Sequence, residues 1–158
     1  MLARRSDSHV VFNEELYGMR IAQRAGTVFH PVHDICIALV RDGWLAGGVI
    51  FTNYTEESIA MHSAGFLPGW VTRDMLWVCF DYPFNQLGVK RIFGQVPEDN
   101  EVALKFNLHL GFKVINRIEG VYKGDIACLL VRMERDECRF LTLKPRGVFA
   151  RTEQDNGR

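Results

Sequence analysis

The sequence predicts an α/β protein built on a mixed, mostly antiparallel sheet with helices on both faces. Two observations lead there. Runs rich in branched apolar residues come in pairs around short turns, ICIALVR and WLAGGVIFTNY on either side of Asp42-Gly43, and KVINRIEGVY and DIACLLVRMER around Gly124-Asp125. An Asp-Gly between two such runs is a strong hairpin signal. Between the pairs lie two stretches with helical spacing of apolar residues and recognisable stops. The order read along the chain is helix, three antiparallel strands, helix, strand, helix, two strands.

The first helix is expected over residues 14 to 25, with Asn13 as cap, apolar positions at Leu16, Met19, Ile21 and Ala22, and Gly26 ending it. The turn-like FHPVHD precedes the first hairpin, and SIAMHSA follows TEE as a further strand. GFLPGW then breaks the pattern. In TRDMLWVCFDYPFNQLG, Thr72 caps a helix with apolar residues at Met75, Leu76, Cys79, Phe80 and Phe84, and Gly88 lies beyond its end. Pro83 removes one backbone hydrogen bond and should kink that helix. VKRIFGQV is the next strand. The helix after it opens at Asn100, carries Val102, Ala103, Phe106 and Leu110 within about 100 degrees of one face, and stops at Gly111 before Phe112 returns to the sheet.

A chain of 158 residues with no linker or repeat is expected to form one domain over residues 1–140, followed by a loose extension over 141–158. Nineteen basic and nineteen acidic residues cancel, which gives no electrostatic case for nucleic acid as a partner. The four cysteines form no CxxC pair and read as buried reduced thiols. No apolar run is long enough to cross a membrane, and the two arginines of MLARRSDSHVV have no apolar stretch behind them. A cytoplasmic protein is expected. His30 and His33 lack further ligands at metal-site spacing, so no metal is expected.

Asn100, Ala103 three residues on, Phe106 and then Leu-Gly-Phe, preceded by a kinked apolar helix and FNQLGVKRIFGQV and followed by a strand carrying Glu119-Gly120, form an ordered combination. It resembles the GNAT superfamily (GCN5-related N-acetyltransferases), most closely the branch of ribosomal-protein N-terminal acetyltransferases and their phage and prophage relatives. The resemblance spans roughly residues 35 to 140. It implies a sheet splayed between its fourth and fifth strands, with acetyl-CoA as co-substrate. Pantetheine would pair with the backbone of SIAMHSA, Met61 and Ser63 included, like an added strand. The pyrophosphate would meet the N-terminus of the next helix. Asn100 would turn toward the pantetheine amide, with Ala103 and Phe106 flanking the cofactor.

Two departures stand out. The family's glycine-rich phosphate loop corresponds here to LPGWVTRD, which keeps Gly69 but has Trp70 and Thr72 near the expected later glycines. Backbone donors from Trp70 to Arg73 would serve instead, with the Thr72 hydroxyl or Arg73 adding a contact; Arg73 reads equally well as a solvated surface charge. The Tyr that protonates the leaving thiolate in many members is Asn107 here, and the Ser used in the ribosomal-protein branch is Ala103. Tyr122 or ordered water is the substitute to consider. His62 is the best base, set against a strand histidine satisfied by its neighbours, with Glu56 and Glu57 as alternatives.

The implied reaction is direct attack of a primary amine, from a protein N-terminus or a small molecule, on the thioester. Presenting an α-amine neutral at pH 7 costs about 1 to 1.4 kcal/mol, against roughly 4.6 kcal/mol for a lysine, which favours the weaker base. The competing reading is a catalytically weak module that binds CoA or a protein. Leu104 and Leu108, on the far side of the last helix from its apolar stripe, are either a partner or homodimer patch or ground covered by the C-terminal extension.

Overall fold

The computed structural model describes residues 7–146. The polar end of the expected C-terminal extension, from residue 147, and the first six residues lie outside the described residues. The elements are β1 (Ser8–Phe12), α1 (Glu15–Ala25), β2 (Ile35–Arg41), β3 (Trp44–Thr52), β4 (Ser58–Gly65), α2 (Arg73–Asp81), β5 (Arg91–Pro97), α3 (Glu101–Leu110), β6 (Lys113–Tyr122) and β7 (Ile126–Glu134). The strands are ordered β1-β2-β3-β4-β5-β7-β6, and β4–β5 is the parallel pair among antiparallel ones. The chain falls into two compact units, the first comprising the residues through Thr52, His62–Cys79 and those from Thr142, the second Asn53–Met61 and Phe80–Leu141.

In the first unit, β2 and β3 turn through Asp42 and Gly43, both at positive φ (50° and 82°), the primed geometry an Asp-Gly turn favours. β1 was not anticipated. Five residues beside a polar terminus are too short to signal a strand, and it forms by antiparallel pairing with β2 from Ser8↔Arg41 to Phe12↔Ile37. This strand also changes the role of Asn13. Instead of capping α1, Asn13 takes a left-handed conformation (φ 54°), donates its backbone N–H to the Cys36 carbonyl at 2.8 Å and accepts the Cys36 N–H on its Oδ1 at 3.1 Å. Glu14 is the cap residue, without a side-chain cap bond. α1 buries Gly18, Ile21 and Ala22, whereas Leu16 and Met19, expected inside, are exposed. Gly18 sets that face, because the Phe29 ring lies 2.5 Å from where its Cβ would be. Ile21, Ala22, Phe29, Cys36, Ala38, Leu45, Ile50 and Ala64 make the core of this unit.

In the second unit, β5 pairs with β7 and β7 with β6. After α2 the chain passes into one π-helical turn, Tyr82–Gln86, with Pro83 in its first positions and a Leu87 N–H to Tyr82 carbonyl bond of 2.9 Å. Where the sequence predicts a kink at Pro83, the helix widens into this π turn. Phe80 stacks on Phe140 at 5.0 Å and tilts against Phe112 at 6.4 Å.

α3 is capped and stopped as expected. Asn100 Oδ1 accepts the Ala103 N–H at 3.1 Å, and Gly111 ends the helix at φ 109°. The inward stripe differs. Val102 is 80% exposed, and the half-buried or buried positions are Ala103, Leu104, Phe106, Asn107 and Leu110. A wheel drawn through apolar residues alone omits Asn107, whose Nδ2 donates to the Ala103 carbonyl at 2.8 Å on the inward side. Leu104 is half-buried and Leu108 exposed.

Candidate functional site

The β4–β5 ladder runs Ser58↔Arg91, Ile59↔Ile92 and Ala60↔Phe93, and goes no further. β4 itself continues to Gly65, so residues 61–65 extend past the last parallel pair. Backbone N–H and C=O groups of a strand that outruns its partner can bond an extended ligand as a neighbouring strand would. Met61 and Ser63 both lie on this stretch.

Beyond Gly65 the chain makes a loop to α2. Phe66 and Leu67 donate their N–H groups to the Ala46 carbonyl at 2.8 and 3.0 Å. Arg41 holds the next step, giving Nη1 to the Pro68 carbonyl at 2.7 Å and Nη2 to the Gly69 carbonyl at 2.8 Å. Gly69 is left-handed at φ 68°. Thr72 caps α2 as expected, with Oγ1 accepting the Met75 N–H at 3.3 Å.

Trp70 fills a slot made by two glycines. A Cβ at Gly47 would lie 2.4 Å from its ring, and one at Gly65 would lie 2.2 Å from its Nε1. The residue that breaks the glycine-rich pattern is thus a packing element which sets the loop's path from within. Sequence reasoning missed Gly47 and Arg41, and read Gly65 only as a break in the pattern. The signal available was a large aromatic in a loop together with glycines inside strands, which mark close approach by other groups.

Arginines lie along the loop, and α2 opens on Arg73 and Asp74. Arg20 and Arg24 lie over the Phe66 ring at 5.1 and 5.3 Å, Arg41 holds the loop, and Arg73 opens α2. Arg73 Nε donates to the Lys144 carbonyl at 2.8 Å. The N–H groups and dipole at the start of α2 favour an anion, and the Arg73 guanidinium on that turn adds charge. In donor chemistry this end of the first unit suits a phosphate-bearing ligand, and the strand leading into it suits an amide-bearing one.

His62, on the same stretch of β4, is half-buried and shares a hydrogen with the Thr52 hydroxyl, Nε2 to Oγ1, at 3.1 Å. Burial lowers its pKa from the ordinary 6.5, and the Asp34 carboxylate opposes that shift in part. His62 is therefore neutral at pH 7 and able to take a proton.

The remaining candidates lie elsewhere. Asn100, Ala103 and Phe106 belong to the second unit, where the Asn100 oxygen caps α3. Tyr122 ends β6 in the same unit. Its hydroxyl donates to Cys128 Sγ at 3.8 Å, and its pKa is pushed up to about 12, chiefly by burial, so it stays protonated at neutral pH. Glu57 pairs with Lys90 at 3.0 Å and its carbonyl accepts the Lys90 and Arg91 N–H groups, which makes it a turn residue, and Glu56 is left-handed at φ 70°. His30 and His33 shape the turn before β2, where the Asp34 carboxylate accepts the His30 N–H at 2.8 Å. Among the described residues no group of three or more His, Cys, Asp or Glu is arranged to hold a metal ion. Cys36 and Cys79 are buried, and burial raises both thiols, Cys36 to about 12. No helix among the described residues is long and apolar enough to cross a membrane.

Protein-family models give no match to the chain, and curated proteins give none. Solved structures do match. The chain is similar to yncA of Salmonella typhimurium, an acetyltransferase by its name and solved with its cofactor acetyl-CoA, at TM-score 0.64 and 11% identity over 84% of this chain and 96% of that one. It is similar to an acetyltransferase of the GNAT family from Desulfovibrio desulfuricans at TM-score 0.62 and 14% identity, over 80% and 99%. A third likeness is to Mycobacterium smegmatis RimJ in complex with CoA-disulfide, at TM-score 0.58 and 19% identity, over 66% of this chain and 55% of RimJ. The fold is the one these acetyltransferases share, a mixed sheet with a parallel β4–β5 pair. At such identities the likeness speaks for the fold.

Proposed function

We propose that the protein is a cytoplasmic N-acetyltransferase moving the acetyl group of acetyl-CoA to a primary amine by direct attack. The observation that carries the reading is the stretch of β4 beyond Ala60, which outruns its ladder with β5 and leads into a loop that Arg20 and Arg24 contact at Phe66 and Arg41 at Pro68 and Gly69, ahead of α2. Residues 61–65 would take the pantetheine amides, and the first turn of α2 with Arg73 the phosphates. Neighbours solved with acetyl-CoA and CoA-disulfide support the choice of ligand. Asn100, Ala103 and Phe106 enter this proposal through the family resemblance alone.

In the reaction the amine nitrogen forms a bond to the thioester carbon, the C–S bond breaks, and the sulfur leaves with the electron pair and takes a proton. His62, neutral at pH 7, is the base that relieves the amine of its proton, directly or through one water. Backbone N–H groups of β4 would stabilise the carbonyl oxygen as charge develops. An α-amino group of a protein N-terminus, or another weakly basic amine, is the favoured acceptor, since it needs least help to lose its proton.

A second reading has its own observation. Asn107, which stands where an acid would be expected, bonds Ala103, and the Tyr122 hydroxyl bonds Cys128, so neither offers a ready proton to the leaving thiolate. That favours a CoA-binding module with weak chemistry. A thiol-release assay across N-terminal peptides and small amines separates the two. Turnover on at least one acceptor supports the enzyme, while CoA binding without turnover on any acceptor supports the module.

A further inference from the structure

The end of the described chain is fastened to the first turn of α2 by two bonds. Arg73 Nε donates to the Lys144 carbonyl at 2.8 Å, and the Arg146 backbone N–H donates to Asp74 Oδ1 at 2.6 Å. Both bonds use the backbone of residues 144–146, so they hold its path whatever side chains it carries. Asp74 is only 7% exposed, and a carboxylate so buried is costly unless hydrogen-bonded.

The position of that carboxylate matters for a phosphate. Asp74 suits the dipole at the start of a helix, but it sets a negative charge on the turn where phosphate oxygens would approach. The Arg146 N–H draws on that charge. Docking also brings Lys144 and Arg146, both exposed, to the turn that carries Arg73.

We infer that residues 142–146 are a positioning strap for the α2 end of the cofactor site, with Asp74 as the residue that fastens it. When docked, the strap orients Arg73 and offsets the Asp74 charge; when released, it leaves that carboxylate without the Arg146 N–H. This rests on the reading of the site as one for acetyl-CoA. Coupling is reciprocal, so the factor by which the docked strap tightens CoA is the factor by which CoA tightens docking.

Two pairs of full-length variants test it by calorimetric titration with CoA. Arg146→Ala keeps the backbone N–H and loses the charge, and Arg146→Pro loses both. The proline variant should bind CoA about tenfold more weakly than the alanine variant, as loss of a hydrogen bond to a charged group implies. Asp74→Asn and Asp74→Ala carry the same charge, but only Asn keeps an acceptor, and the Ala variant should be the weaker by a similar factor. In the wild type, CoA should slow hydrogen exchange at the Arg146 amide. Equal affinities within both pairs, or an Arg146 amide indifferent to saturating CoA, would overturn the strap while leaving the CoA reading intact. Wild-type protein that binds no CoA would overturn both.

Discussion

At Gly47 and Gly65 the absence of a side chain makes room for Trp70. A methyl group at Gly65 would meet Trp70 Nε1 at 2.2 Å, closer than atoms can pack. Gly65→Ala should therefore lower stability by about 1–3 kcal/mol, the usual cost of overpacking, measured by urea denaturation. The same substitution in a Trp70→Ala background should cost little, and a double-mutant cycle reads the coupling. His62 gives a residue-scale prediction in pH. Its folded pKa lies below the unfolded 6.5, so above 6.5 both states are neutral and the group adds no slope. As pH falls below 6.5 the unfolded chain binds a proton that the folded chain resists, and stability is lost until the pH passes the folded pKa. His62→Gln should flatten that loss, seen as a smaller difference in urea midpoint between pH 5.5 and pH 7.5. At this scale the sequence was readable where a residue acts on its neighbours, as Asn100, Thr72 and Gly111 do. The role of Asn13 was misread because its partner, Cys36, is distant along the chain, and the slot that takes the Trp70 ring was not legible because Gly47 lies far from it in sequence.

Among elements, α3 shows how far local chemistry goes. Its cap and its stop were legible, because both depend on backbone groups within a few residues of Asn100 and Gly111. Its buried face was not, since the inward position of Asn107 depends on what lies opposite, including Gly94, whose Cβ would sit 3.7 Å from Asn107 Oδ1. Asn100→Ala should cost about 1 kcal/mol of stability by loss of the cap, and Asn100→Asp should restore most of it. If Asn100 also faces the cofactor, the Ala variant will show weaker CoA binding beyond that stability loss. β1 was missed for a different reason. A five-residue strand without turn signals exists by virtue of β2, and nothing local demands it.

For the whole molecule, the order of strands and helices was legible from the first hairpin through β7, and solved acetyltransferases share that fold at low identity. The cofactor expectation rested on resemblance. The structure adds physical features that suit it: a strand that outruns its ladder, a loop packed from inside by Trp70 and held by Arg41, and Arg73 at the start of α2. None of these is a contiguous motif, which is why the sequence could carry the fold more clearly than the site. The central claim is that acetyl-CoA lies along β4 and at the first turn of α2. Hydrogen exchange with and without saturating acetyl-CoA tests it most directly. The account predicts slowed exchange at the amides of residues 61–65 and 70–76. Exchange at those amides unchanged by acetyl-CoA would contradict it.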